Sequence, residues 1–170
     1  GGFTSINGLS RYSLGQLMPD GAVDGSFNPG TSIDGAVRVL AFTSNGSELL
    51  IGGDFTLVQG RSRNGVARIL DDGSVDNAFD PGLGANGPVY TLLEQADGKI
   101  LIGGDFTAVG GMPYSSVARL NTDGSVDSTF VGTSIDGPVY SLIQRQESDV
   151  DFTGAYDANN TGEVTNTVNL

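Results

Sequence analysis

Three observations predict an all-β protein of propeller-like tandem repeats. The sequence repeats itself with a period of 51 residues, its apolar runs are short and β-rich, and Asp-Gly or Asn-Gly pairs punctuate them. Helical periodicity is not evident across the repeats, and glycine, at 27 of 170 residues, recurs too often for helices of more than a turn or two.

The repeat is read directly from the residues. Ile51-Gly52-Gly53-Asp54-Phe55-Thr56 returns as Ile102-Gly103-Gly104-Asp105-Phe106-Thr107, and Val66-Ala67-Arg68-Ile69 as Val117-Ala118-Arg119-Leu120. Asp72-Gly73-Ser74-Val75-Asp76 returns as Asp123-Gly124-Ser125-Val126-Asp127, and Gly87-Pro88-Val89-Tyr90 as Gly137-Pro138-Val139-Tyr140. The GTSIDG of residues 30–35 stands unchanged at 132–137. The first copy is more diverged: Gly1-Gly2-Phe3-Thr4 is the GGDFT element without its Asp, and Asp20-Gly21-Ala22-Val23-Asp24 matches DGSVD. The units run over about 1–51, 52–102 and 103–150, followed by a polar tail at 151–170.

Each unit predicts four short strands. Val89-Tyr90-Thr91-Leu92-Leu93 is the first, and the Asp97-Gly98 turn leads to the second, Ile100-Leu101-Ile102, which ends at the glycine pair. Asn45-Gly46 makes the same turn one unit earlier, because such pairs supply the positive φ angles of a tight hairpin. Residues 66–70 form a third strand, Asp72-Gly73 a second turn, and residues 74–79 a short fourth strand. One four-stranded sheet cannot bury both faces, whereas blades stacked about an axis do so and leave only short edges. A β-solenoid of the same units satisfies the burial argument too.

Residues 72–120 run almost without a gap through the pattern DGSVD..F.PG...G.VY.L..Q.DGKIL.GGDFT..G......ARL, which resembles the delta-60 repeat, a bacterial β-propeller-like repeat. The resemblance covers residues 1–150 and is weakest in the first unit. It implies tandem blades of the kind found in large, often exported bacterial proteins, with similar repeats in phage structural and tail proteins. It brings no catalytic residues to carry over.

Composition narrows the chemistry. The chain has no cysteine, histidine or tryptophan, so an ordinary zinc site, a thiol nucleophile and a Ser-His-Asp relay are excluded, as are disulfides. A net charge of -12 repels a nucleic-acid backbone. No stretch is apolar and long enough to span a membrane as a helix, and Gly1-Gly2-Phe3-Thr4 lacks the charged start and apolar core of a signal peptide.

The motifs have structural readings. GGDF is spelled like the diguanylate cyclase signature, but here it repeats at a fixed period after an apolar strand and lacks the helices of such an enzyme. Its glycines read as a close backbone approach or a bulge at a strand end. Units two and three carry both the Asp of GGDFT and the Arg of VAR, and unit one lacks both. That correlation predicts structural ion pairs between Asp54 and Arg68 and between Asp105 and Arg119. Asp72, Asp76, Asp123 and Asp127 are weak candidate calcium ligands, with turn geometry the competing reading; no other cofactor is expected. Phe27, Phe79 and Phe130 recur at homologous places, as packing between blades requires. Tyr12 and Tyr114, in the variable segment after GGDFT, are candidate ligand contacts. In the tail, Val164, Val168 and Leu170 alternate toward one strand face, which predicts an oligomerisation strand or, equally, a linker.

Three blades fall short of the four to eight of a closed propeller. The expectation is therefore that several chains assemble or that these residues belong to a longer protein. The functional expectation is a non-enzymatic structural or interaction module of a bacterial extracellular, cell-surface or virion assembly, with identical or related subunits as partners. The alternative is a carbohydrate- or receptor-binding adhesin module, and the third reading is a glycoside-active enzyme using a carboxylate pair.

Overall fold

The computed structural model describes residues 1–131 and 135–144 in full, and beyond them the backbone of the strands Val150–Ala155 and Val164–Val168. It is all-β and propeller-like: short antiparallel sheets follow one another along the chain, with no helix among the described residues.

The chain opens with a hairpin of β1 (Ser5–Ile6) and β2 (Leu9–Ser10). The first complete unit is β3 (Val37–Phe42), β4 (Leu49–Gly53), a small hairpin of β5 (Leu57–Val58) and β6 (Arg61–Ser62), and β7 (Val66–Ile69). The next repeats it as β8 (Val89–Glu94), β9 (Ile100–Gly104), β10 (Ala108–Val109), β11 (Met112–Pro113) and β12 (Val117–Leu120). Then come β13 (Ser141–Gln144), β14 (Val150–Ala155) and β15 (Val164–Val168). The sheets are ordered β3-β4-β7, β8-β9-β12 and β13-β14-β15, all antiparallel.

Two details differ from the expectation. The fourth strand contracts to single bridges, Ile69 to Val75 and Leu120 to Val126, as at Leu17 to Val23 in the first unit. The segment after GGDFT is not a variable loop but a hairpin in all three units. It turns through Asn7-Gly8, Gln59-Gly60 and Gly110-Gly111, with φ positive at both turn residues, as a two-residue hairpin requires. The tail strand falls on the chain's own sheet: β14 pairs with β13, and β15 pairs with β14.

The sheets pack face on face, β3 and β4 against β8, and β8 and β9 against β13. Burial on both faces explains why Ile100-Leu101-Ile102 is a continuous apolar run with every residue of β9 buried. The glycine pair has two separate reasons. A Cβ on Gly52 would lie 2.6 Å from Val39 Cγ1 across its own sheet, and 3.0 Å from Val89 Cγ1 and 3.4 Å from Leu92 Cδ1 of the next, so this glycine makes room for side chains of both sheets. A Cβ on Gly53 would lie 2.0 Å from the Ala36 carbonyl oxygen, so this one admits the crossing backbone. Gly103 and Gly104 repeat both contacts, the latter at 2.0 Å from the Pro88 oxygen. The repeated phenylalanines Phe27, Phe79 and Phe130 are all buried.

Candidate functional site

The arginines of the third strands do not meet the aspartates of GGDFT. Arg68 Nε donates to Asp76 Oδ2 at 2.8 Å and its guanidinium lies 5.1 Å over the Phe79 ring; Arg119 Nε donates to Asp127 Oδ2 at 2.8 Å and lies 5.1 Å over Phe130. The expected Asp54–Arg68 and Asp105–Arg119 pairs are thus replaced by Arg68–Asp76 and Arg119–Asp127. Register explains it. Arg68 sits opposite Leu50, on the far side of the glycine pair from Asp54, whereas the Asp72-Gly73 turn folds Val75 back beside Ile69 and carries Asp76 to the arginine. Unit one keeps the turn without the latch: Asp24 accepts from Ser26, and Gln16 stands at the arginine place. Lys99 Nζ adds a second cation to Asp127 at 2.8 Å. Burial pushes the Asp127 carboxyl up, but hydrogen bonds from Lys99, Thr129 and Arg119 outweigh it and hold the group far below the usual carboxylate range.

Asp54 has a different partner, and it leads to a surface feature. The first strands β3 and β8 each carry a bulge after the buried valine, between Val37 and Val39 and between Val89 and Thr91. The extra residue is Arg38 or Tyr90, and Tyr140 holds the same place in the third repeat. A bulge re-aims one side chain out of the pleat, and here the re-aimed side chains form a row. Arg38 lies 5.4 Å from the Tyr90 ring centroid, and Tyr90 stacks on Tyr140 at 5.0 Å with the planes 12° apart. Asp54 holds Arg38 with two 2.6 Å hydrogen bonds. Burial, and then the Asp105 charge, raise the Tyr90 phenol above its ordinary value. Tyr140 closes the row and is 47% exposed. Residue identity at the fourth place of the Gly-x-Val-x element was the signal available in the sequence; periodicity could not find it, because a bulge interrupts the period.

A second surface lies at the other end of the sheet series. Leu40 and Phe42 of β3 are 54% and 71% exposed, although they point the same way as buried Leu92 of β8. With Leu14, Leu17 and Leu49 they line an open groove of about 710 Å³. An apolar sheet face in water is a contact surface more often than an accident.

The other candidate residues fall as follows. Tyr114 is buried, and its hydroxyl donates toward the carbonyls of Asp127 and Phe130, so it belongs to the core and not to a ligand surface. Tyr12 is half-buried beside a shallow groove shared with Phe3 and Ile33. Asp72 and Asp123 cap their own turns, accepting from the hydroxyl and amide of Ser74 and Ser125, and these bonds lower both carboxyls. Asp76 and Asp127 are taken by arginine. The four candidate calcium ligands therefore split into two caps and two latches. Val164 and Val168 are the ends of β15, and Leu170 lies outside the described residues. No helix among the described residues is long and apolar enough to cross a membrane.

The alternating sheets, hairpins and latches describe a blade, and comparison with known families agrees. Residues 1–27, 48–79 and 95–130, more than half of the chain, match the model described as "Domain of unknown function (DUF5122) beta-propeller". The chain belongs to this beta-propeller family. The matched segments of this propeller chain end at Phe27, Phe79 and Phe130, leaving out β3, β8 and β13 and the Arg38–Tyr90–Tyr140 row. No curated protein and no solved structure matches the chain.

Proposed function

We propose that this chain is a delta-60-type repeat scaffold acting as a non-enzymatic interaction module in a bacterial extracellular, cell-surface or virion assembly, with identical or related subunits as partners. The observation that carries the reading is the open face of β3, where Leu40 stands in water at the place that the next sheet buries as Leu92, with exposed Phe42 beside it. In the reading, the repeated acids serve as caps and latches rather than as a catalytic pair, and no cofactor is needed. A density map of the native assembly tests it. Neighbouring polypeptide over Leu40 and Phe42 is expected, and a lone 17.5 kDa chain in native solution overturns it.

A second reading, carbohydrate or receptor binding, is favoured by one observation: the stacked Tyr90–Tyr140 pair ends in an exposed ring. An exposed aromatic face stacks on the apolar face of a sugar. A glycan array with the wild type and Tyr140→Ala tests it; signal lost in the variant supports the reading, and an array blank at high concentration removes it.

A further inference from the structure

The sheet series contains one interface twice and half of it a third time. Val89 and Leu92 of β8 cover Gly52 and pack with Leu50; Val139 and, from β13, Leu142 cover Gly103, where an added Cβ would lie 2.9 Å and 3.3 Å from their methyls, and pack with Leu101. Val37 and Leu40 hold the corresponding register in β3. Beside them, residues 14–17 hold the place of a third strand: Leu17 bridges Val23 as Ile69 bridges Val75, and Asp24 N donates to Gln16 O as Asp76 N donates to Arg68 O. In the complete units that third strand pairs with a second strand, Leu49 with Ile69 and Ile100 with Leu120. Residues 14–17 line the groove from one side and Leu40 and Phe42 from another.

We propose that the groove receives the first-and-second-strand hairpin of another unit of this repeat. That hairpin carries a large aliphatic side chain at the place of Leu50 and a glycine at the place of Gly52. It would add its second strand to the edge at residues 14–17 and lay its apolar face on Leu40 and Phe42, combining strand addition with sheet packing. The inference rests on the contact-surface reading above and names the occupant.

A second copy of the chain does not supply that hairpin. The outward face of β3-β4 is already covered by β8, and that of β8-β9 by β13. In β13-β14, Ser141 pairs with Thr153 and Ile143 with Asp151, where β8-β9 pairs Thr91 with Gly103 and Leu93 with Leu101. Asp151 thus stands at the register of a buried leucine, and Thr153 at that of the spacing glycine. A carboxylate set on Leu40 and Phe42 would lose its water without gaining a partner, and a β-branched residue cannot serve where sheets meet across a glycine. The occupant is therefore a related unit rather than an identical one.

Grafting tests this. Residues 86–103 are placed directly ahead of Gly1, so that Gly1, which bonds Ser13 and Val37 as Gly104 bonds Ser116 and Val139, takes the place of Gly104 in a completed unit. Amide exchange at residues 14–17 and in β3 should slow at least ~10-fold, and the thermal midpoint should rise. The same graft carrying Leu101→Asp should show neither change. Equal exchange with both grafts, or no slowing with the first, overturns the hairpin assignment. If in that case the native assembly still covers Leu40 and Phe42, the contact-surface reading stands and the occupant is of another kind; if the face is bare in the assembly as well, both fall.

Discussion

Leu92 and Leu40 occupy one register position in consecutive sheets, yet Leu92 is 7% exposed and Leu40 54%. The residue is the same, and so is the strand. What differs is the neighbour: β8 has β4 in front of it, and β3 has an open groove. Burial in a stacked repeat is a property of the interface, not of the strand, and a terminal sheet keeps the residues of an interface it does not fill. The two latches differ in the same manner. Arg68 alone anchors Asp76 closely, while Asp127 is shared by Arg119 and Lys99.

The comparison can be broken at several levels, beginning with the most severe. Gly104→Ala forces a Cβ to 2.0 Å from a carbonyl oxygen and should cost above about 4 kcal/mol, read as loss of cooperative unfolding. Gly103→Ala meets only methyl groups of Thr91, Val139 and Leu142 and should cost clearly less; equal effects would refute the separate roles of the two glycines.

Removing both cations from Asp127, as Arg119→Ala with Lys99→Ala, leaves a side chain of 4% exposure unpaired and should cost about 3–5 kcal/mol. Either single change should cost well under half of that, because the other cation remains. A strictly additive double-mutant cycle would remove the shared-anchor account.

Leu92→Ala should destabilise by about 2–5 kcal/mol in urea titrations, and Leu40→Ala by less than about 1 kcal/mol. If the isolated chain loses as much from Leu40 as from Leu92, the β3 face is not open.

The smallest effect is on acid stability. The folded-state pKa of Asp127 is depressed, so its contribution is present above the unfolded carboxylate value of about 4 and is lost as pH falls toward the folded value. Thermal midpoints of wild type and Asp127→Asn should therefore converge below about pH 4 and stay apart at pH 7. A gap that does not change with pH would mean that Asp127 acts by shape alone.

Much of the blade was legible as spelling. The Asn45-Gly46 and Asp97-Gly98 turns, the apolar second strands and the strand end at each glycine pair lie where the repeat placed them. The hairpin after GGDFT is spelled in the outer units by Asn7-Gly8 and Gly110-Gly111 but not in the middle one, where Gln59 adopts a positive φ that its side chain does not announce. The ion pairs were misassigned for a related reason. Loss of two residues together shows that positions are linked, but which side chains touch depends on register, and the register put Arg68 beside Asp76. The Arg38–Tyr90–Tyr140 row needed the bulges, which no alternation pattern encodes.

By itself the sequence determined the period, the all-β class, the turns and the repeated buried phenylalanines, because each is a local or periodic property of the chain. Only the tertiary structure decided which acid meets which arginine, which aromatics stack, and which of two equivalent leucines faces water. Those outcomes depend on what packs against a strand from another part of the molecule, and local spelling carries no record of that neighbour.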